Sequence, residues 1–335
     1  MKSVSAGFSL VELLVATLIG VMVLLGIGTI INAINYQRTR IETIGELQSA
    51  IHTAERKIYP LQEIGGGSLR PWHSLWIEDN CAARLDLPSC NGSDRATVIN
   101  VSDSPECSIV NYDSDTKTVE LNLEPTGDCC LQATDEKKSL FMLNGDFQYL
   151  AFIDTIDMAT CKAVVADHLQ GSQFVNLPAD DNDWVGGSST LVTVGTYYWD
   201  STLNNLSLAS DLDNDGLIAS GETVKLIDNV FEFQLALGYD LTPSDGVITN
   251  TNDDDDEWLY NFGNTEALGV GVFATALPLH LRQVEVHMVL ALPRKPSAPT
   301  SFSDQYLNGP SRTFNNLYTQ DFVTRMNFRN SLLYR

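Results

Sequence analysis

The chain has 335 residues, of which 44% are hydrophobic and 9% aromatic, so it is long enough for one large domain or two smaller ones and does not have a disordered composition. It carries 43 acidic residues against 20 basic ones, a net charge of -23. Because such a surface repels phosphates, binding to nucleic acid is not expected. A solvated acidic surface is enough to explain the excess of acidic residues. Cation binding or a saline exterior would also be consistent with this excess.

The first predicted element is a hydrophobic helix over residues 13–31, LLVATLIGVMVLLGIGTII, which contains no charged residue. At about 1.5 Å per residue this run spans roughly 29 Å, close to the hydrocarbon core of a bilayer. It is longer than the apolar region of an ordinary secretory signal peptide, and no A-x-A-like cleavage site follows it. Hydropathy therefore predicts one membrane-spanning helix, whose orientation Lys2, Arg38 and Arg40 leave open.

A specific pattern surrounds the start of this helix. The leader MKSVSAG ends at Gly7, Phe8 follows, and Glu12 is the fifth residue after the leader. This arrangement resembles the type IV prepilin signature. In that family a membrane aspartyl peptidase cuts after the glycine and methylates the new N-terminal amine. The resemblance therefore implies cleavage between Gly7 and Phe8 and N-methylation of Phe8; the alternative is an incidental spanning helix.

Glu12 is the charged residue just before the uncharged run. A carboxylate there is costly in lipid and is rarely kept without a partner. The resemblance implies that Glu12 attracts the free amine of a neighbouring subunit during filament entry, which offsets the cost of desolvating both charges and fixes the axial register. Snorkelling by an incidental glutamate is the alternative. The helix-kinking proline of many major pilins is absent here, which favours a minor subunit.

The helix is predicted to continue beyond the membrane as an amphipathic segment, residues 35–60. Apolar residues recur there at spacings of three and four, at Ile41, Ile44, Leu47, Ile51, Ala54 and Ile58. Pro60 ends the pattern. We therefore divide the chain into a leader (1–7), a transmembrane and assembly helix (8–34), this continuation (35–60) and a periplasmic or extracellular domain (61–335).

The six cysteines all follow the helix and fall within one 81-residue window: Cys81, Cys90, Cys107, Cys129, Cys130 and Cys161. No C-x-x-C pair occurs and no histidine has zinc-ligand spacing, so an even number of cysteines on an exported domain predicts disulfides. Six cysteines allow 15 pairings, between which the sequence does not choose. The adjacent Cys129 and Cys130 are expected to have different partners, and Cys81–Cys90 closes the shortest loop. Free buried thiols are the alternative.

The remainder is predicted to be β-rich, with strands at Ala96–Val101, Ser108–Tyr112, Thr118–Leu123, Ser139–Leu143, Gln148–Ile153, Leu191–Trp199, Thr223–Ile227, Val230–Leu237, Gln283–Leu292 and Phe322–Phe328. Asn144-Gly145 predicts a hairpin turn. The strand at 283–292 alternates as a half-buried strand does. Acidic loops are expected at Asp180–Asp183 and Asp253–Glu257. The fold class is therefore α+β, with a long N-terminal helix packed on a large antiparallel β-rich domain.

Residues 211–222, DLDNDGLIASGE, match the calcium-loop pattern D-x-[DN]-x-[DN]-G-x5-E at every position. The expected ligands are the carboxylates of Asp211, Asp213, Asp215 and Glu222 and the carbonyl oxygen of Leu217. Four carboxylates this close together would otherwise repel one another, so the loop predicts a structural Ca²⁺ site. Its flanks predict strands, which makes it EF-hand-like without being an EF-hand. A merely acidic turn is the alternative.

Catalytic motifs are missing from the sequence. It contains no P-loop, no nucleophile elbow and no H-E-x-x-H, and its five histidines are scattered. An enzyme is therefore not expected.

Length favours one branch of the pilin family, because major pilins are about half this size. GSDRATVINV at 92–101, VFEFQLALGYDL at 230–241 and a C-terminal RTF followed by FRN resemble PilW-type minor pilins. The resemblance implies a minor pilin that prepilin peptidase processes in the inner membrane. It would join other pilin subunits through its helix and initiate or cap an extracellular type IV filament. A minor pseudopilin of type II secretion and a filament-tip adhesin that binds a surface or receptor stay open.

Overall fold

The structure is a computed structural model that describes residues 10–63, 74–78, 81, 87, 90–101, 106–124, 127–145, 147–168, 175–210, 220–239, 258–259, 281–293, 301–307 and 309–328. The chain divides into two compact units, Met1–Ser49 and Ala50–Arg335. A long helix makes up the described part of the first unit, and antiparallel strands make up most of the second. This confirms the predicted α+β class.

Helix α1 runs over Leu10–Ile58. Its leucines and alanines are good helix formers, and it contains no proline. Arg56 and Lys57 lie in the last turn, where their positive charges interact favourably with the negative end of the helix dipole. The α-helix ends at Ile58, two residues before Pro60, as predicted. The chain continues directly into a 3₁₀ helix, Tyr59–Glu63.

The predicted apolar stripe is buried at its C-terminal end. Ala54, Ile58 and the following Leu61 are at most 1% exposed in the globular unit. Ile41, earlier in the stripe, is 70% exposed. The boundary between the compact units falls after Ser49, within the amphipathic segment, so the last turns of α1 belong to the globular core.

The described residues form seventeen strands: β1 Leu75–Glu78, β2 Arg95–Val101, β3 Cys107–Asp113, β4 Thr118–Leu121, β5 Ser139–Asn144, β6 Phe147–Asp157, β7 Lys162–Asp167, β8 Val175–Asn176, β9 Ser188–Asp200, β10 Asn205–Ser210, β11 Thr223–Asp228, β12 Val230–Tyr239, β13 Trp258–Leu259, β14 Leu281–Pro293, β15 Ser301–Asp304, β16 Arg312–Asn315 and β17 Leu317–Asn327. Each predicted strand has a counterpart here. The predicted hairpin at Asn144-Gly145 joins β5 to β6.

Six strands of the largest sheet form a closed ring of antiparallel pairings. β9 pairs with β5, then β5 with β6, β6 with β7, β7 with β4, β4 with β3, and β3 with β9 again. The ring closes at Ser188 and Ser189, which pair with β5 on one side and with β3 on the other. These strands therefore make a small barrel, and closure satisfies hydrogen-bonding groups that an open sheet would leave at its edges.

The barrel interior is apolar and receives side chains from every strand of the ring, among them Ile109, Val119, Leu140, Ala151, Val165 and Leu191, each at most 3% exposed. Trp184 joins this core from a 3₁₀ helix, Asp181–Trp184, and contacts Tyr112 edge to face with ring centroids 6.0 Å apart. The predicted acidic loop at 180–183 is thus partly helical. Asp180 caps this helix by accepting a hydrogen bond from the Asn182 backbone.

The second half of β9 extends the sheet beyond the barrel. It pairs with β2 on one side and with β10 on the other, and β1 and β11 continue the sheet outward. Trp199 near the end of β9 donates from Nε1 to the Val230 carbonyl at 2.7 Å, which ties this sheet to β12 of the next one. Two further hydrogen bonds join the sheets: the Asp94 backbone N–H donates to the Phe233 carbonyl, and the Leu235 backbone N–H donates to the Asp94 carboxylate.

A second sheet has the order β13-β12-β14-β17, and the hairpin β15–β16 contributes side chains to a cluster on one of its faces. Tyr306 and Phe314 pack there with Val289 of β14, which is fully buried. On the same face Glu285 is 8% exposed and pairs with Arg325 of β17. β14 is therefore buried on both faces, and the predicted half-buried pattern is wrong because the alternate positions also meet protein.

Candidate functional site

The N-terminal helix carries the first group of predicted site residues. Gly7 and Phe8 lie outside the described residues. Glu12 lies in the first turn of α1, two positions after Leu10, its first described residue. The positive end of the helix dipole favours a carboxylate at this place.

The surface of α1 that follows Glu12 is apolar and exposed. Large side chains from Leu10 to Ile34 stay open to the surroundings, Leu10 at 78% and Leu24 at 69%. A β-carbon added to Gly20 or Gly26 would meet no other atom within 4 Å. The most apolar window has a mean hydropathy of 2.6 and none of it is buried. By length and composition the helix could cross a membrane, as an anchor or as part of a signal.

The predicted calcium loop connects two paired strands. Asp211, Asp213, Asp215 and Leu217 lie outside the described residues. β10 ends at Ser210 and β11 begins at Thr223, and Ala209 pairs directly with Thr223. The pairing brings the two ends of the loop together, and it confirms that strands flank the loop. Glu222 ends a 3₁₀ helix, Ser220–Glu222, and is 6% exposed.

All six cysteines form disulfides. Cys81 bonds to Cys90, Cys107 to Cys130 and Cys129 to Cys161, with Cα–Cα distances of 5.2, 5.9 and 5.1 Å. The shortest loop is closed as the sequence favours, and Cys129 and Cys130 have different partners. The last two disulfides tie the start of β3 and the turn before β7 to the segment between β4 and β5.

The sulfur atoms of Cys129, Cys130 and Cys161 lie within 4.8 Å of one another. Metal ions bind thiolates, and each of these sulfurs is consumed in a disulfide. The cluster is therefore a product of two neighbouring crosslinks, and the oxidised protein offers no thiolate there.

Sequence reasoning missed one cluster of titratable groups in the second sheet. His287 of β14 contacts Tyr306 edge to face, with ring centroids 4.8 Å apart. Burial lowers the pKa of His287, although Asp321, Glu285, Glu232 and Asp304 act in the opposite direction. Burial also raises the pKa of Asp321, which hydrogen-bonds Tyr306. No spacing links these residues, because strand pairing and the hairpin bring them together.

Comparison with models of protein families, with curated proteins and with solved structures finds no match to this chain. Function has to be inferred from the residues themselves.

Proposed function

We propose that this protein is a minor pilin, which prepilin peptidase cleaves after Gly7 and which α1 anchors in the inner membrane until it enters a type IV filament. The observation that carries the proposal is the sequence Gly7-Phe8 with Glu12, together with a helix that has no buried residue from Leu10 to Ile34. An apolar surface of this length needs lipid or apolar partners. Neighbouring subunits would supply those partners in a filament.

Glu12 has a defined task in this proposal. Cleavage leaves a cationic amine on Phe8 and a carboxylate four residues later. In lipid each charge is strongly disfavoured without a partner. Pairing of the Glu12 carboxylate with the amine of a neighbouring subunit would neutralise both and set the axial stagger between the two helices.

The charge distribution favours a minor subunit, similar to PilW-type pilins, over a bulk one. Residues 1–49 contain three acidic and three basic residues, so the whole net charge of -23 belongs to the globular unit. Like charges on stacked globular units would repel one another along a homopolymer. A subunit used in few copies, at the start or tip of the filament, avoids this accumulated repulsion.

Mass spectrometry of the mature protein tests the processing. Loss of residues 1–7 and one added methyl group are expected, and an intact Met1 would contradict the proposal. Glu12→Ala should leave cleavage intact and reduce incorporation into filaments. Glu46→Ala, which removes an exposed carboxylate later in the same helix, is the matched control and should assemble normally. Equal incorporation of the two variants would remove the assembly role of Glu12.

Purification of filaments through a tagged copy identifies the assembly. Co-purifying pilins support a pilus subunit, whereas subunits of a secretion apparatus would instead assign the chain to a type II pseudopilus. A receptor-binding assay on the mature protein would separately test the tip-adhesin alternative.

We also propose that the 211–222 loop binds Ca²⁺ in a structural role. Support comes from the complete ligand pattern, from the pairing of Ala209 with Thr223, and from Glu222, which is buried at the end of the loop. Ca²⁺ should raise the melting temperature of the protein, and Asp213→Ala should abolish the shift. Asp115→Ala, at an exposed acidic residue elsewhere, should keep it. A wild-type protein without a calcium-dependent shift would refute the site.

A further inference from the structure

The two disulfides of the barrel are interleaved along the chain. Cys107 bonds to Cys130 and Cys129 bonds to Cys161, so each closed loop contains one end of the other. Cysteines that paired in their order along the chain would instead form Cys107–Cys129 and Cys130–Cys161. Oxidation in chain order during export of an unfolded chain would therefore not give the native pairing.

Chain entropy does not separate the two pairings. The native Cys107–Cys130 loop has a sequence separation of 23, and the loop to the adjacent Cys129 is one residue shorter. Because the entropy of loop closure varies only with the logarithm of length, the difference is far below RT. An unfolded chain thus joins Cys107 to Cys129 at least as readily as to Cys130.

The folded barrel accepts only one of these partners. Cys107 and Cys130 belong to its buried core, at 1% and 7% exposure, whereas Cys129 is only partly buried. Cys129 forms an isolated bridge with Leu123 and Cys130 lies in the bend that follows, so exchanging Cys130 for Cys129 beside Cys107 would move this segment. That shift would also displace Leu131, which is 3% exposed within the same core.

An error made before folding keeps the barrel from closing, because the native core requires Cys130 and not Cys129 beside Cys107. In the closed barrel Cys107 and Cys161 are each 1% exposed, so solution thiols reach their sulfurs only before closure. Uncatalysed disulfide rearrangement takes minutes to hours, which is slow compared with the collapse of a chain. Exchange therefore has to be accelerated while the barrel is still open.

We propose that a thiol–disulfide isomerase is a required folding partner of this protein and that the Cys107–Cys129 disulfide is its substrate. In the intermediate in which Cys130 and Cys161 are still thiols, the isomerase thiolate attacks Sγ of Cys107, a mixed disulfide forms, and Cys129 leaves as a thiolate. The Cys130 thiolate then attacks the same sulfur, forms Cys107–Cys130 and releases the isomerase thiolate. The proton lost by Cys130 is balanced by the one that Cys129 gains, and no oxidant is used.

The Cys129–Cys161 disulfide forms last. Oxidation of the Cys129 and Cys161 thiols transfers two electrons to a disulfide-bearing oxidase of the export compartment and releases two protons. The proposal rests on the proposed export to an oxidising compartment but not on filament assembly. A failed processing or incorporation experiment would therefore leave it untouched.

The test produces the full chain in exporting cells that contain the oxidase, with and without the isomerase. Free thiols are alkylated, and peptide fragmentation between Cys129 and Cys130 assigns the partner of Cys107. With isomerase, Cys107–Cys130 should dominate. Without it, native protein should fall several-fold and Cys107–Cys129 should appear. A native pairing formed in equal yield without isomerase would overturn the proposal.

Two double variants sharpen the result. Cys129→Ala with Cys161→Ala removes the competing partner and should make the yield of Cys107–Cys130 independent of the isomerase. Cys81→Ala with Cys90→Ala removes the local disulfide and should keep the dependence. Equal dependence of the two variants would contradict the proposal. If the first variant fails to fold, the disulfide map of the wild type decides alone.

Discussion

Arg95, whose side chain is fully buried in β2, donates from Nη1 to Glu78 Oε2 at 2.9 Å across the β1–β2 pair. The two residues are direct partners in the strand register, so the ion pair forms between neighbouring strands. Glu78 is 18% exposed and lies on β1, which pairs only with β2 among the described strands. The pair thus secures one end of the large sheet with a largely desolvated contact.

Glu78→Gln should destabilise the protein, because it keeps the shape of the side chain but removes a negative charge that is paired with a buried guanidinium. Loss of one partner of a buried pair costs about 3 kcal/mol. Denaturant unfolding measures the change. Asp228→Asn breaks the exposed Lys225–Asp228 pair and should cost less than about 1 kcal/mol. Similar losses in both variants would show that burial does not set the strength of the first pair.

Trp184→Ala should open a cavity in the core that includes the barrel interior. The side chain is fully buried and contacts Tyr112, so truncation should lower the free energy of unfolding by about 3–5 kcal/mol. The neighbouring Val185 is 51% exposed, and Val185→Ala should change stability by less than about 0.5 kcal/mol. Denaturant titration of the pair tests whether the 3₁₀ helix is part of the core; comparable effects would argue that it is not.

Gly92→Ala should be more harmful than Gly186→Ala, although both glycines have a positive φ, of +90° and +83°. A left-handed conformation costs alanine about 1–2 kcal/mol at either position. At Gly92 the new β-carbon would also lie 2.4 Å from Pro310 Cγ, whereas at Gly186 it would meet nothing within 4 Å. Overpacking adds about 1–3 kcal/mol at Gly92 alone. Equal melting temperatures would show that the Pro310 segment can move away.

His287 should make stability depend on pH near neutrality. Burial lowers its folded-state pKa below the ordinary value of 6.5, so the unfolded chain takes up the proton first as the pH falls. Its contribution is therefore complete above pH 6.5 and decreases below that value until the folded-state pKa is reached. His287→Phe keeps an aromatic ring against Tyr306 and should flatten the profile between pH 7.5 and 5.5. An unchanged slope in chemical denaturation would refute this assignment.

Local patterns were sufficient for the elements whose signal lies within a few neighbouring residues. The uncharged run at 13–31 and the spacing of Ala54 and Ile58 predict α1, and Pro60 predicts its end. Alternation and turn chemistry predict β5, β6 and their hairpin at Asn144-Gly145. The processing residues and calcium ligands are likewise motif predictions, and they remain predictions here.

Short strands escaped the same reasoning. β1, β7 and β10 have only four to six residues each. Runs this short are ambiguous by local pattern, and pairing with β2, β6 and β9 fixes them as strands. The burial of Glu285 and Val289 escaped for a related reason, because residues far along the chain cover that face of β14.

The sequence by itself determined that this protein contains a long apolar helix and a β-rich domain and favoured crosslinked cysteines, because periodicity, hydropathy and residue count carry those features. Tertiary structure alone decided that six strands close into a barrel and that Cys107 pairs with Cys130 and not with the adjacent Cys129. Both decisions depend on contacts between residues far apart in the chain. Local sequence and the entropy of loop closure hardly distinguish Cys107–Cys130 from Cys107–Cys129, whereas the packed core accommodates only Cys107–Cys130.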